Sequence, residues 1–249
     1  MSLIINKENI FFILPESRYM VSDRIDGYMD GDFTLHVNAK LFPDTLTERE
    51  SFILSRNGMH SGVSAFKDQH GVTKIMFTYW FADAKGKPIV KQIWYSLKDN
   101  ELNAFNKYTM ICDDSVDKKI SCYVNDDLVG EIFYKNYTKQ SYLNAFYWFS
   151  CGSMLGPEEH RGLGKFEYSM AFVLDKEITL DDVDDLIENY EEKYTDVIFN
   201  DLRKLKNDYP LKENFGFFCD FKHYNRYKVW DLSFSGNYPQ LYIEDNIYF

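Results

Sequence analysis

Phe33-Thr34-Leu35-His36-Val37-Asn38-Ala39 alternates: Phe33, Leu35, Val37 and Ala39 fall on one face, and Thr34, His36 and Asn38 on the other. Successive side chains of a pleated strand point to opposite sides, so this stretch predicts a β-strand with one buried face. Similar short runs follow, separated by Gly, Asn and Asp clusters. Ser51–Ser55 and Gly62–Phe66 bracket Arg56-Asn57-Gly58, a turn signal because Asn and Gly tolerate positive φ. Lys74–Ala82 sets Phe77, Tyr79 and Phe81 against Trp80. Ile89–Leu97, Tyr108–Cys112, Ile120–Val124, Leu128–Tyr134, Ala145–Cys151 and Phe166–Leu174 continue the series, with Asn125-Asp126-Asp127 as a tight turn. Strands at this spacing without intervening helices predict an all-β antiparallel sandwich.

One segment departs from this pattern. From Leu180 to Lys206, Val183, Leu186/Ile187, Tyr190, Tyr194, Val197/Ile198, Leu202 and Leu205 recur at helical spacing. Thr179 is placed to cap it, acidic residues crowd its start and Arg203, Lys204 and Lys206 its end, which matches the helix dipole. The helix either runs unbroken or kinks near Thr195, and Pro210 ends it. The acidic run Asp181–Asp185 reads as a solvated helix start rather than a cation site. Strand signals return in Phe215–Phe221, Tyr227–Leu232 and Gln240–Ile243. The expected organisation is one sandwich domain over 1–249, with a helical insertion at 180–208 and returning strands at 214–249 closing it.

Composition narrows the function classes. The 249 residues carry 28 Lys plus Arg against 39 Asp plus Glu, a net charge of −11, and 18% are aromatic. An aromatic load of this size suits a folded core, not a disordered chain. With no basic excess, neither nucleic acid nor an anionic membrane surface is an expected partner. The apolar run Ile10–Leu14 is too short to span a bilayer or form the core of a signal peptide. The chain is therefore expected to be cytoplasmic or to lack its own export signal, with no membrane insertion. Cys112, Cys122, Cys151 and Cys219 show no metal spacing; Cys112 and Cys122 could face each other across a hairpin, either as free thiols or as a disulfide.

Several segments, in order, resemble the laminin-G-like branch of the concanavalin A-like lectin/glucanase superfamily. Asp30-Gly31-Asp32-Phe33-Thr34-Leu35-His36-Val37 resembles its opening "gdFT-x-x-v" strand, and Phe52-Ile53-Leu54-Ser55-Arg56 its "ilsr" strand. Ile120–Val129 resembles the "i-x-lYvNGelv" hairpin, with Asp126 where glycine is usual. Gly164–Tyr168 through Leu180–Val183 resembles the closing strand and short helix. Trp230-Asp231-Leu232-Ser233-Phe234-Ser235-Gly236-Asn237 resembles the "v-x-DlSg-x-gN" element that normally comes first, so either the sandwich is closed by a permuted strand or a second module begins there. The resemblance implies a jelly-roll sandwich, glycan binding and, in many members, a Ca²⁺ held by loop oxygens. Its candidates for that ion are Asp231 and Asn237 with Glu167; the cofactor expectation is therefore either none or Ca²⁺.

The residues point away from catalysis. The family's catalytic members use a strand motif of carboxylates, "E-x-D-x-x-E", and this chain has none. Retaining glycoside hydrolysis needs two carboxyls about 5–5.5 Å apart, and the adjacent pairs Glu158-Glu159 and Glu191-Glu192 do not converge. The five histidines are scattered, and Gly58–Gly62 and Gly152–Gly164 form neither a nucleophile elbow nor a phosphate loop. A sugar is recognised by an aromatic face plus planar polar groups. The candidates for this role are Trp80, Tyr95, Tyr147 and Trp148 on strands, and Tyr224, Arg226 and Tyr227 in a polar loop. The expected function is non-catalytic recognition of a surface or capsular glycan. The alternatives are a protein-interaction module of the same fold, supported by the long helix, and an atypical glycoside hydrolase.

Overall fold

A computed structural model describes residues 3–5, 9–14, 29, 31–56, 61–139, 149–151, 164–174, 176–194, 215–225, 228–231, 238–243 and 246–247. The strands are β1 (Leu3–Ile5), β2 (Asn9–Leu14), β3 (Phe33–Leu41), β4 (Ser51–Arg56), β5 (Ser61–Lys67), β6 (Thr73–Ala82), β7 (Pro88–Ser96) and β8 (Phe105–Asp113). They continue with β9 (Lys119–Val124), β10 (Asp127–Phe133), β11 (Thr138–Lys139), β12 (Phe149–Cys151) and β13 (Phe166–Leu174). The helix α1 (Leu180–Tyr194) precedes β14 (Phe215–Asn225), β15 (Lys228–Asp231), β16 (Tyr238–Ile243) and β17 (Asn246–Ile247). Every pairing is antiparallel. One ladder runs β10-β9-β8-β3-β13-β14. The other runs β7-β6-β5-β4-β12-β2-β16, and β15 pairs with both β14 and β16. The fold is an antiparallel jelly-roll sandwich, with one α-helix among the described residues.

Alternation in β3 sets the first layer. Phe33, Leu35, Val37, Ala39 and Leu41 are buried in the core with Phe77, Tyr79 and Phe81 of β6, Tyr108 and Met110 of β8, and Phe166 and Tyr168 of β13. Each of these large side chains, once fully buried, contributes about 1.5–3 kcal/mol relative to exposure. The β9–β10 hairpin turns at Asn125, whose φ is 54°. Positive φ falls on Asn125, which tolerates it, and not on Asp126, so the aspartate is accommodated in the turn without strain. Gly164 leads into β13 because a Cβ there would meet Leu46 at 2.6 Å and Ser51 at 3.0 Å. Ile10–Leu14, an isolated apolar run in the sequence, is a strand between β12 and β16. Cys112 and Cys122 are buried free thiols.

The Thr179 cap is present and reciprocal: the Asp182 amide donates to Thr179 Oγ1 at 3.1 Å, and the Thr179 amide donates to Asp182 Oδ2 at 3.1 Å. The helix is described over Leu180–Tyr194; the remainder of the 180–208 expectation, with the kink near Thr195, lies outside the described residues. The start of α1 covers the outer side of β3 and β8. Thr34 Oγ1 donates to the Lys176 carbonyl at 2.9 Å, Lys107 Nζ meets Asp184 at 2.6 Å, and Val183 is fully buried.

Beneath this cover lies His36, fully buried on the outer face. Its ring stacks on Phe172 at 5.0 Å, Nδ1 lies 2.9 Å from Thr109 Oγ1, and Nε2 has no partner among the described residues. Burial first, and the Lys107 ammonium second, lower its pKa from 6.5 to about 3. The folded-state value lies below that of the unfolded chain. The contribution is therefore complete above pH 6.5 and is lost as pH falls toward 3. At pH 5 the loss should be about 2 kcal/mol. His36→Gln should flatten the fall in unfolding free energy between pH 7 and pH 4, measured by urea denaturation; equal slopes would refute it.

Candidate functional site

The outer face of β5, β6 and β7 presents a different surface. Along β7, Ile89, Ile93 and Tyr95 pack toward the core, so Val90, Gln92, Trp94 and Ser96 point outward. Trp94 is 60% exposed. Its indole meets Phe66 edge-on, with centroids 5.8 Å apart and planes at 80°. Gln92 and Ser96 flank it on its own strand, and Met76 lies opposite it on β6. Lys74 Nζ donates to Ser96 Oγ at 2.6 Å and pairs with Asp68 at 3.6 Å. The platform is rigid because β6 and β7 stay in register from Lys74↔Ser96 to Ala82↔Pro88. Their connection is closed by Asp83, which accepts the Lys85 and Lys87 amides at 2.8 Å, with Gly86 at φ 78°.

The sequence candidates fall elsewhere. Trp80 lies on the outward side of β6 opposite Val90, half-buried. Tyr95 faces the core, and its hydroxyl donates to Glu101 at 2.9 Å. Tyr147, Trp148, Arg226, Tyr227 and Asn237 lie outside the described residues. Tyr224 sits on β14 opposite Val229, and Asp231 on β15 opposite Cys219. Glu167 lies on β13 opposite Lys40, and their side chains pair at 3.8 Å. Cys219 pairs with Ala171, four positions along β13 from Glu167, so Asp231 and Glu167 are not in register. Trp94 was missed by the sequence reading, although its parity with Gln92 and Ser96, opposite Ile89 and Ile93, was the available signal.

Three carboxylates converge at one end of β3 and β8. Oxygens of Asp32, Asp113 and Glu177 lie within 4.8 Å of one another. Asp32 Oδ1 accepts the Asp114 and Ser115 amides at 2.7 and 3.2 Å. Asp113 accepts the Val116 and Asp117 amides at 2.8 and 3.1 Å. The Val116 bond is the largest influence holding the Asp113 carboxyl below its usual range. Desolvation, then repulsion by Asp113 and Asp32, raises Glu177 above its own. Opposed shifts are what an acid–base pair would use. Asp113, however, is buried and has both oxygens committed to the β8–β9 turn, so the cluster is a turn cap with a third carboxylate pressed against it.

No family model and no curated protein matches this chain. Among solved structures it is similar to the binding domain of botulinum neurotoxin DC in complex with SialylT, at 13% identity and TM-score 0.45, over 69% of this chain and 38% of that one. It is similar to the binding domain of Paraclostridial Mosquitocidal Protein 1 at 15% identity and TM-score 0.47, over 76% and 43%. A native heptameric SAP-like pentraxin from Limulus polyphemus gives 14% identity and TM-score 0.41, over 71% and 80%. The chain thus spans less than half the length of the two toxin domains. Among the described residues no helix is long and apolar enough to cross a membrane.

A glutamate whose pKa is raised on folding favours the fold at low pH and loses that contribution as pH rises through its folded value. Glu177→Gln should therefore raise the melting temperature at pH 7 and leave it unchanged near pH 4. A fall in calcium-containing buffer, abolished by EDTA, would instead place a cation among the three carboxylates.

Proposed function

We propose that this chain is a non-catalytic carbohydrate-binding module that recognises a surface or capsular glycan through the face around Trp94. The observation that carries the reading is the exposed indole, packed on Phe66 and carried by a strand that pairs with β6 along its whole length. An aromatic plane held this way stacks on the C–H face of a sugar ring with little conformational entropy left to lose. Gln92, Ser96 and the Lys74–Asp68 pair supply donors and acceptors at its rim for hydroxyl groups. The laminin-G-like resemblance of the sequence supports the same reading. The Ca²⁺ set of Asp231, Asn237 and Glu167 is not part of this proposal, because Glu167 is four positions out of register with Asp231 and pairs with Lys40.

The second reading, a protein-interaction module, is favoured by Leu128 and Phe133. Both are exposed on β10, which runs beside β7 with Gly130 against Ile93. A partner docking there would use these two side chains, which share the outer side of β10.

Glycan-array screening followed by calorimetry separates the readings. The wild type should bind at least one glycan at millimolar affinity or better. Trp94→Ala should weaken that binding by about tenfold, corresponding to ~1.4 kcal/mol, without lowering the melting temperature. Leu128→Ser should leave glycan affinity unchanged. No glycan bound at millimolar concentration, or a Trp94→Ala variant with wild-type affinity, would overturn the proposal.

A further inference from the structure

A second site lies on the core side of the molecule, at the end of the sandwich where β3 begins. Lys139, the last residue of β11, turns its side chain inward until only 5% of it is exposed. Its ammonium lies 5.1 Å from the Phe33 ring centroid, 5.6 Å from Tyr134 and 5.9 Å from Tyr79. Asp114 Oδ1 is 3.6 Å away, and the Gly31 carbonyl accepts a hydrogen bond from Nζ. Three aromatic faces and one carboxylate around a cation are the chemistry by which proteins recognise organic ammonium groups.

The walls are held by contacts that do not involve Lys139. The Tyr134 hydroxyl donates to Asp114 Oδ1 at 2.7 Å and contacts Cys112 Sγ at 3.2 Å, and its ring stacks on Phe81 at 4.8 Å. The Tyr79 ring stacks on Phe33 at 5.8 Å, and its hydroxyl donates to the Met29 carbonyl. Asp114 is placed by its own amide, which donates to Asp32. The tether of the occupant is slight by comparison. Among the described residues, strand β11 pairs with β6 at two positions, Thr138↔Ala82 and Lys139↔Phe81.

We propose that the pocket walled by Phe33, Tyr79, Tyr134 and Asp114 is a site for a methylated or quaternary ammonium group, which Lys139 occupies in cis and which an external ammonium enters by displacing β11. The occupant is covalently attached, so it competes at an effective concentration of the order of millimolar. A quaternary head competes well because it is less strongly hydrated and covers more of the three rings than a primary ammonium. The fold therefore carries its own competitor.

The test uses tetramethylammonium chloride, with sodium chloride at equal ionic strength as control. Lys139→Ala should melt below the wild type and recover ~3–6 °C at tenfold excess of tetramethylammonium over its dissociation constant, with no such recovery in sodium chloride. In the wild type, tetramethylammonium should speed hydrogen exchange at the 138–139 amides, and sodium chloride should not. Should Lys139→Ala fail to fold, the wild-type exchange experiment decides alone. Unchanged exchange, or a variant responding equally to both salts, would overturn the proposal.

Discussion

The structure depends on β3 being flanked along its length by two different strands while its side chains separate onto two faces. It pairs with β8 from Phe33↔Cys112 to Lys40↔Phe105, and with β13 from Thr34↔Leu174 to Leu41↔Phe166. A central strand has no freedom to slip, because a shift by one residue would send Phe33, Leu35, Val37 and Ala39 to the wrong side. That constraint places the aromatic end of the core, Phe33 with Tyr79 and Tyr134, at the start of β3. It also places Thr34, His36 and Asn38 on the outside, where a helix must cover them.

The two outer faces consequently have opposite characters. Helix α1 lies over the β3–β8 side, joined by Val183, the Lys107–Asp184 pair and the Thr34 contacts. A histidine sealed under it must remain neutral. On the β5–β7 side Trp94 stays open at the rim, and among the described residues β7 ends the ladder, paired with β6 alone. Edge strands invite further pairing. Here β10 lies against that edge, close enough that Gly130 has no room for a Cβ beside Ile93. The exposed Trp94 platform thus belongs to the outer surface of the sheet and not to its edge.

Much of this was legible in the sequence because it is local. The alternation of β3, the Asn125 turn and the Thr179 cap each depend on residues within a few positions of one another. What was not legible is non-local. Ile10–Leu14 becomes a strand only because β12 and β16, far along the chain, accept it on either side. Trp94 and Tyr95 are neighbours of similar chemistry, and only the sheet's facing decides that one is a core residue and the other an exposed platform. The cage around Lys139 draws on β3, β6, the β8–β9 turn and the segment after β10, and no spacing rule unites those four.

The acidic character of the chain has a structural use that its net charge alone conceals. Asp32, Asp68, Asp83 and Asp113 each accept two backbone amides at a turn, and Asp182 closes the helix cap. A carboxylate that receives main-chain N–H groups stabilises a loop that would otherwise leave those donors to water. In a sandwich with many short connections, one such cap per turn accumulates negative charge without creating an active site. The cost appears where two carboxylates cap one turn: Asp32 and Asp113 both accept amides of the β8–β9 turn, so their charges are crowded together, and Glu177 carries the resulting repulsion. Lys139, whose ammonium lies 3.6 Å from Asp114 of the same turn, is the counter-charge the fold supplies on the core side, and the aromatic rings that surround it are what make that electrostatic correction also the proposed ammonium site.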